Sequence, residues 1–296
     1  MLIVSIPARA SAYEFTRPLR EGDTGPDVRA LQVRVAGWFG RSNRKTFLID
    51  GDFGPRTAGA VKAFQRHFGL DVDGVAGAGT FEILTRLEDG NGSTAHFDYS
   101  EFWQNKNPAC SAKANAYAGT FQGGMVAPGK VKRNVRRLMW RLEAVRAKGG
   151  RHPIGINSGF RSVAYNDCIG GARASQHLYG SAADNRMAEV ANRAERDLAR
   201  RSQLSGIGCY GSLSHNHFDI RMDNKDLPAT QALWWPERDN KGRDLDDNGV
   251  PCWGEVKSAA VAKASVAGAG SFVPSAHEVA AFEAAGELFF DLGGAE

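Results

Sequence analysis

Cysteine is scarce, with four in 296 residues, and no two of them form a CxxC pair. Cys110, Cys168, Cys209 and Cys252 therefore do not spell a thiolate zinc site; they allow three disulfide connectivities, and two bridges suit an exported protein better than four free thiols. Long apolar runs are also missing. None approaches the roughly 20 residues that a membrane helix requires, so no membrane span is expected. Charge of one sign is not concentrated: the formal net charge is +4, and the basic residues are dispersed. That argues against a nucleic-acid partner, which calls for a basic stripe, while a mild positive charge suits a polyanionic cell wall. The rest is ordinary globular composition, 42% hydrophobic and 24% charged, in a chain long enough for two domains with proper cores.

The N-terminus, MLIVSIPARASAYEF, carries Ala10-Ser11-Ala12, which resembles a signal-peptidase site, but the apolar segment Leu2 to Ile6 is short and lacks a basic lead-in. Residues 1–17 are read as a truncated export signal or a plain N-terminal arm. A short motif then recurs with drift: GDTGPDV at 22–28, DGDFGPRT at 50–57 and DGVAGAGT at 73–80. Between the copies lie VRALQVRVAGWF and AGAVKAFQRHF, whose apolar positions recur three and four apart, as amphipathic helices require. Leu31-Gln32 and Phe64-Gln65 occupy equivalent positions. Each Asp-Gly turn offers a backbone site favouring glycine, and the Thr or Asp is expected to cap the next helix. A small all-α bundle follows for residues 18–88. This stretch resembles the type 1 peptidoglycan-binding domain, a three-helix module, which implies binding of glycan or stem peptide. Residues 89–97, in the Gly-, Ser- and Asn-rich EDGNGSTAHF stretch, have the composition of a linker.

Residues 98–236 read as an α+β domain. VKRNVRRLMWRLEAVRAK is helical in period, with Val131, Val135, Leu138, Leu142 and Val145 on one face, and Met139 and Trp140 as core fillers. PIGINSGFRS reads as a strand ending in a loop that exposes Arg161. A helix is expected over about 187–201, and SGIGCYGSLSHNHFDIRM as a hairpin of short strands in a small antiparallel sheet.

SQHLYGSAAD, residues 175–184, sets His177 and Asp184 seven apart, and SHNHFDIR adds His215 and His217. A catalytic zinc takes three such ligands and leaves a position open for water. In a strand, His215 and His217 share a face. Taken together, SGFRS, SQHLYGSAAD, GIGCY and HNHFDIR resemble, in order and spacing, the zinc D-alanyl-D-alanine carboxypeptidases and related peptidoglycan endopeptidases, which are marked by SxHxxGxAxD and a later histidine. The resemblance implies that His177, Asp184 and His217 bind Zn2+ and that Arg161 steadies the carbonyl as it becomes an oxyanion. It further implies that Gly180 and Ala182 keep the metal loop compact and that Ser175 hydrogen-bonds the substrate.

Family members carry an acidic general base three positions before the last ligand, where this chain has Ser214. A serine cannot serve there unaided, so His215 is the expected base, with Asp219 available to orient a ligand imidazole. Cys168 is expected to pair with Cys110. Residues 237–258 contain DLDDNGVPCWGE, where Asp244, Asp246, Asn248, Gly249 and Glu255 match an EF-hand loop and the segment resembles an extracellular calcium-binding motif. Ca2+ is the expected ligand there; an acidic turn pinned by a Cys209–Cys252 bridge is the alternative. Residues 259–296 are Ala- and Gly-rich and yield no functional reading. The expectation is a monomeric, extracellular or wall-located zinc peptidase acting on peptidoglycan, with an inactive wall-binding protein as the alternative.

Overall fold

The computed structural model describes residues 13–40, 47–104, 107–110, 112–113, 119–209 and 214–222. Helices α1 (Pro26–Val35), α2 (Pro55–His67) and α3 (Ala78–Arg86) form the N-terminal bundle. Its internal repeat is built on two buried glutamines. Gln32 Nε2 donates to Asp50 Oδ1 at 2.8 Å and to the Asp52 carbonyl at 3.0 Å, and its Oε1 accepts from the Gly51 N–H at 2.8 Å. Gln65 repeats the pattern with Asp73 Oδ1 at 2.7 Å, the Val75 carbonyl at 2.9 Å and the Gly74 N–H at 2.9 Å. Gly51 and Gly74 stand at φ +90° and +79°, left-handed backbone that a side chain would strain. The expected helix caps are not formed. Gly25, Gly54 and Gly77 occupy the N-cap positions without a side-chain cap, because Thr57 and Thr80 lie inside the first turns, where their hydroxyls meet the Gln amides.

The second domain starts with α4 (Tyr99–Trp103) and the long α5 (Pro128–Lys148). The apolar face read from the sequence is correct: Val131, Val135, Leu138, Leu142 and Val145 are buried in the second core. Trp140 and Ala144 lie in the N-terminal core, beside Val35, Trp38 and Phe64. One helix therefore serves two cores. Gly37 is part of the reason, since a Cβ there would come within 2.6 Å of the Ala144 Cβ.

Polar groups reinforce the joint. Arg34 makes a two-pronged pair with Glu88, with Nη2–Oε2 at 2.7 Å, and Arg136 of α5 bonds the same carboxylate. Burial lowers Arg34 to about 10. Lys148 Nζ donates to the Gly37 carbonyl at 2.9 Å and to the Arg201 carbonyl at 2.7 Å. The segment with linker composition is packed too: Ser93, Thr94 and Phe97 are buried, and the Tyr99 hydroxyl donates to the Gly92 carbonyl at 3.0 Å.

Four strands, β1 (Ile154–Ser158), β2 (Ala182–Met187), β3 (Gly206–Gly208) and β4 (Asn216–Asp219), form an antiparallel sheet in the order β1-β2-β4-β3. Helix α6 (Val163–Cys168) follows β1, and α7 (Asn192–Arg201) packs against β2, β3 and β4. The helix expected from residue 187 starts only at Asn192, because Met187 is the last residue of β2 and pairs with Ile154. Cys110 and Cys168 are bonded, with Cα atoms 6.0 Å apart. Cys209 is also in disulfide form; Cys252, its partner in the alternative reading of the 244–255 loop, lies outside the described residues. So do the calcium candidates Asp244, Asp246, Asn248 and Glu255. Among the described residues no helix is long and apolar enough to cross a membrane.

The shared helix predicts cooperative unfolding. Calorimetry of the whole chain should show both domains melting in one transition, and Trp140→Ala should lower that transition by about 3–5 kcal/mol, the range for a buried large-to-small change. Two separate transitions, with only the first shifted, would contradict it.

Candidate metal centre

The sheet register brings the predicted residues together. Asp184 on β2 pairs directly with His217 on β4. His177 comes from a short 3-10 turn, Gln176–Tyr179, which ends at Gly180 with φ +68°. A Cβ on Gly180 would lie 2.7 Å from Val131 Cγ1 and 2.9 Å from the Val131 carbonyl, so only glycine lets the turn sit against α5. Asn134 of α5 secures it, donating to the Tyr179 carbonyl at 2.9 Å. The outcome is one cluster: one donor atom each from His177, Asp184 and His217, all within 4.8 Å of one another.

The hydrogen bonds around the cluster set how both rings are turned. His177 Nδ1 lies 2.6 Å from the Gly159 carbonyl; a carbonyl only accepts, so the proton is on Nδ1 and Nε2 faces the cluster bare. His217 is turned so that Nε2 lies 3.4 Å from Asp219 Oδ2 and Nδ1 faces inward, toward Asp184. Asp219 is fully buried and is held by Arg221, whose Nε reaches both of its oxygens at 3.0 Å. The inward atoms are close: His177 Nε2 to His217 Nδ1 is 3.2 Å, and Asp184 Oδ1 is 3.2 Å and 2.9 Å from them. Once His217 gives up the proton on Nδ1, three lone pairs point at one spot. A cation resolves that conflict, and two imidazoles with one carboxylate are a zinc donor set that leaves a fourth position open.

Charge follows the same logic. Burial disfavours a charged His217, yet hydrogen bonds to Asp184 and Asp219 outweigh it and lift the ring to about 9. Burial works against the Asp184 carboxylate, but the two histidines hold its pKa well below the ordinary carboxylate range. Asp219 is lowered to about 2, with His217 and Arg221 overcoming its burial. His177 is lowered, first by burial.

Arg161 is brought beside the cluster. Its Nη2 bonds Asp184 Oδ2, its Nε donates to Ser158 Oγ at 2.9 Å, and its backbone N–H donates to the His177 carbonyl at 3.1 Å. Ser175 precedes the His177 turn and its hydroxyl makes no cap bond. His215 stands just ahead of β4, half-buried and outside the three-donor cluster. Ser214 is exposed, and its carbonyl accepts from Arg186 Nη1 at 3.2 Å. Sequence reasoning missed the Gly159 carbonyl, Arg221, and Gly206 on β3, where a Cβ would fall 1.9 Å from Asp219 Oδ2. The small residues of SGIG were the available signal for the last of these.

Residues 107–219 match the family Peptidase M15, and residues 24–84 match a peptidoglycan binding domain. The zinc D-Ala-D-Ala carboxypeptidase of Streptomyces albus G is 36% identical over 215 residues, covering 72% of this chain and 79% of the relative. The chain belongs to the Peptidase M15 family. A spore cortex-lytic enzyme of Bacillus cereus is 39% identical over 98 residues, 32% of this chain and 36% of that protein. Among solved structures, the SleB N-terminal domain is 36% identical and covers 24% of this chain and 93% of that chain, with a TM-score of 0.21. The M15 peptidase thus follows an N-terminal peptidoglycan-binding helical domain, as its sequence indicates.

The raised His217 sets a pH dependence. Below about 9 the ring carries an inward proton, which a metal must displace from Nδ1, so binding releases a proton and weakens as pH falls. Zinc affinity measured by chelator competition should rise about tenfold per pH unit between pH 7 and 9 and then level off. A flat profile over that window would contradict the raised titration of His217.

Proposed function

We propose that the chain is a zinc-dependent peptidase that hydrolyses an amide bond in peptidoglycan stem peptides or cross-links, as a D-Ala-D-Ala carboxypeptidase or an endopeptidase. The observation that carries this reading is the convergence of three donor atoms, from His177, Asp184 and His217, beside the Arg161 guanidinium. The Streptomyces albus G relative supports the substrate class. When bound, zinc supplies a Lewis acid that lowers the pKa of water and polarises a carbonyl.

This chain's own side chains account for the other steps. Arg161, anchored by Ser158 and Asp184, aims its remaining N–H groups at the scissile carbonyl oxygen and stabilises it as negative charge builds. His215 acts as general base on the attacking water and then hands that proton to the departing amine. Its half-buried position ahead of β4, two residues from His217, supports the role. The Ser175 hydroxyl, free of any capping duty, hydrogen-bonds the bound peptide. Asp184 serves twice, as a metal donor through Oδ1 and as the anchor of Arg161 through Oδ2. The N-terminal module, residues 18–88, holds the enzyme on the wall; residues 98–236 form the peptidase domain. The enzyme works outside the cytoplasm as a monomer, delivered by secretion or by a phage. The loop at 244–255 takes calcium through Asp244, Asp246, Asn248 and Glu255.

Mass spectrometry of defined cross-linked and uncross-linked muropeptides tests the proposal. Loss of one alanine, in zinc-loaded protein only, identifies a carboxypeptidase; a split cross-link or stem identifies an endopeptidase. Unchanged masses for every substrate, with zinc bound, would leave a wall-binding protein only. His215→Ala should lower kcat by about 10²–10⁴, the usual loss for a proton-transfer group, and leave zinc content at the parent value.

A further inference from the structure

Glu195 is fully buried on the first turns of α7, and one of its oxygens, Oε1, has no hydrogen-bond partner among the described residues. A buried carboxylate in that state costs stability, and the zinc chemistry above does not use it. Its surroundings indicate its role. Oε2 accepts from Asn216 Nδ2 at 2.7 Å. Asn216 is also fully buried; the same amide donates to the Asn192 carbonyl at 3.2 Å, and its Oδ1 accepts from Arg196 Nη1 at 3.0 Å. Three residues of α7 therefore grip one side chain, on the opposite face of β4 from His217. The helix that carries Glu195 also packs against β2. β2 and β4 carry Asp184 and His217, paired directly with each other.

We infer that Glu195 is a positioning residue for the metal centre: by holding Asn216 from behind, it fixes the strand that carries His217 and, through the pairing of β4 with β2, the register of Asp184. The inference rests on the zinc reading. It differs from a packing role in one respect: hydrogen-bond acceptance at this position matters, and filling the space does not. Gln keeps an acceptor of the same length. Leu fills the space, removes the buried carboxylate that burial penalises, and leaves the Asn216 amide unheld.

The test uses the full chain, titrated with zinc alone against a chelator, with melting of the metal-free protein as control. Glu195→Gln should bind zinc within about threefold of the parent, and Glu195→Leu should bind about tenfold more weakly, the lower end of losses for residues that orient ligands. Activity at saturating zinc should recover in Glu195→Gln. The inference is overturned if Glu195→Leu matches the parent within about twofold, if Glu195→Gln weakens as much as Glu195→Leu, or if affinity falls only in step with melting temperature. Should Glu195→Leu fail to fold, Asn216→Ser decides on the same criterion. A parent that binds no zinc would instead overturn the zinc reading, which the parent titration alone reveals.

Discussion

Packing of α5 into two cores is the constraint from which the rest of the structure follows. Val131, Val135, Leu138 and Leu142 close the peptidase core, while Trp140 and Ala144 complete the wall-binding core. The same helix supplies Arg136 to the buried Arg34–Glu88 pair and Asn134 to the turn that bears His177. Removing one partner of such a buried pair leaves an uncompensated charge and is strongly destabilising, so the joint has little freedom to slide. The module is thereby joined to the scaffold that carries His177.

The metal centre is organised by what surrounds the three donors. A carbonyl and a buried carboxylate decide which nitrogen of each imidazole faces inward, and Arg221 in turn holds that carboxylate. These outer bonds hold His177 Nε2, His217 Nδ1 and Asp184 Oδ1 turned toward one another. Asp184 links the two halves of the proposed chemistry, since one of its oxygens faces the donors and the other holds Arg161. The cluster is buried, which strengthens each of these electrostatic interactions relative to water.

Much of this was legible in the sequence. The three-four spacing marked α1, α2 and α5, and the repeated Asp-Gly motifs marked the loops that Gln32 and Gln65 hold. The SxHxxGxAxD resemblance pointed to His177 and Asp184. β2 was not legible, because AADNRM is buried on both faces except at Arg186 and so shows neither alternation nor a hydrophobic run. Its polar members serve the site and the neighbouring strands, which hides a strand behind loop-like composition. The packed 88–97 segment was hidden for a similar reason: Gly, Ser and Asn suit tight turns as well as linkers. Trp140 was rightly expected in a core, but periodicity cannot say that the core belongs to the other domain. The bonds from Gly159 to His177 and from Asn216 to Glu195 join residues distant in sequence, and no local pattern encodes them.

X-ray absorption at the zinc edge of the loaded full chain tests the central claim most directly. The account predicts a shell of two imidazole nitrogens and carboxylate and water oxygens at about 2.0–2.2 Å, with one imidazole lost in His217→Ala. A shell containing sulfur, or one unchanged in His217→Ala, would contradict it.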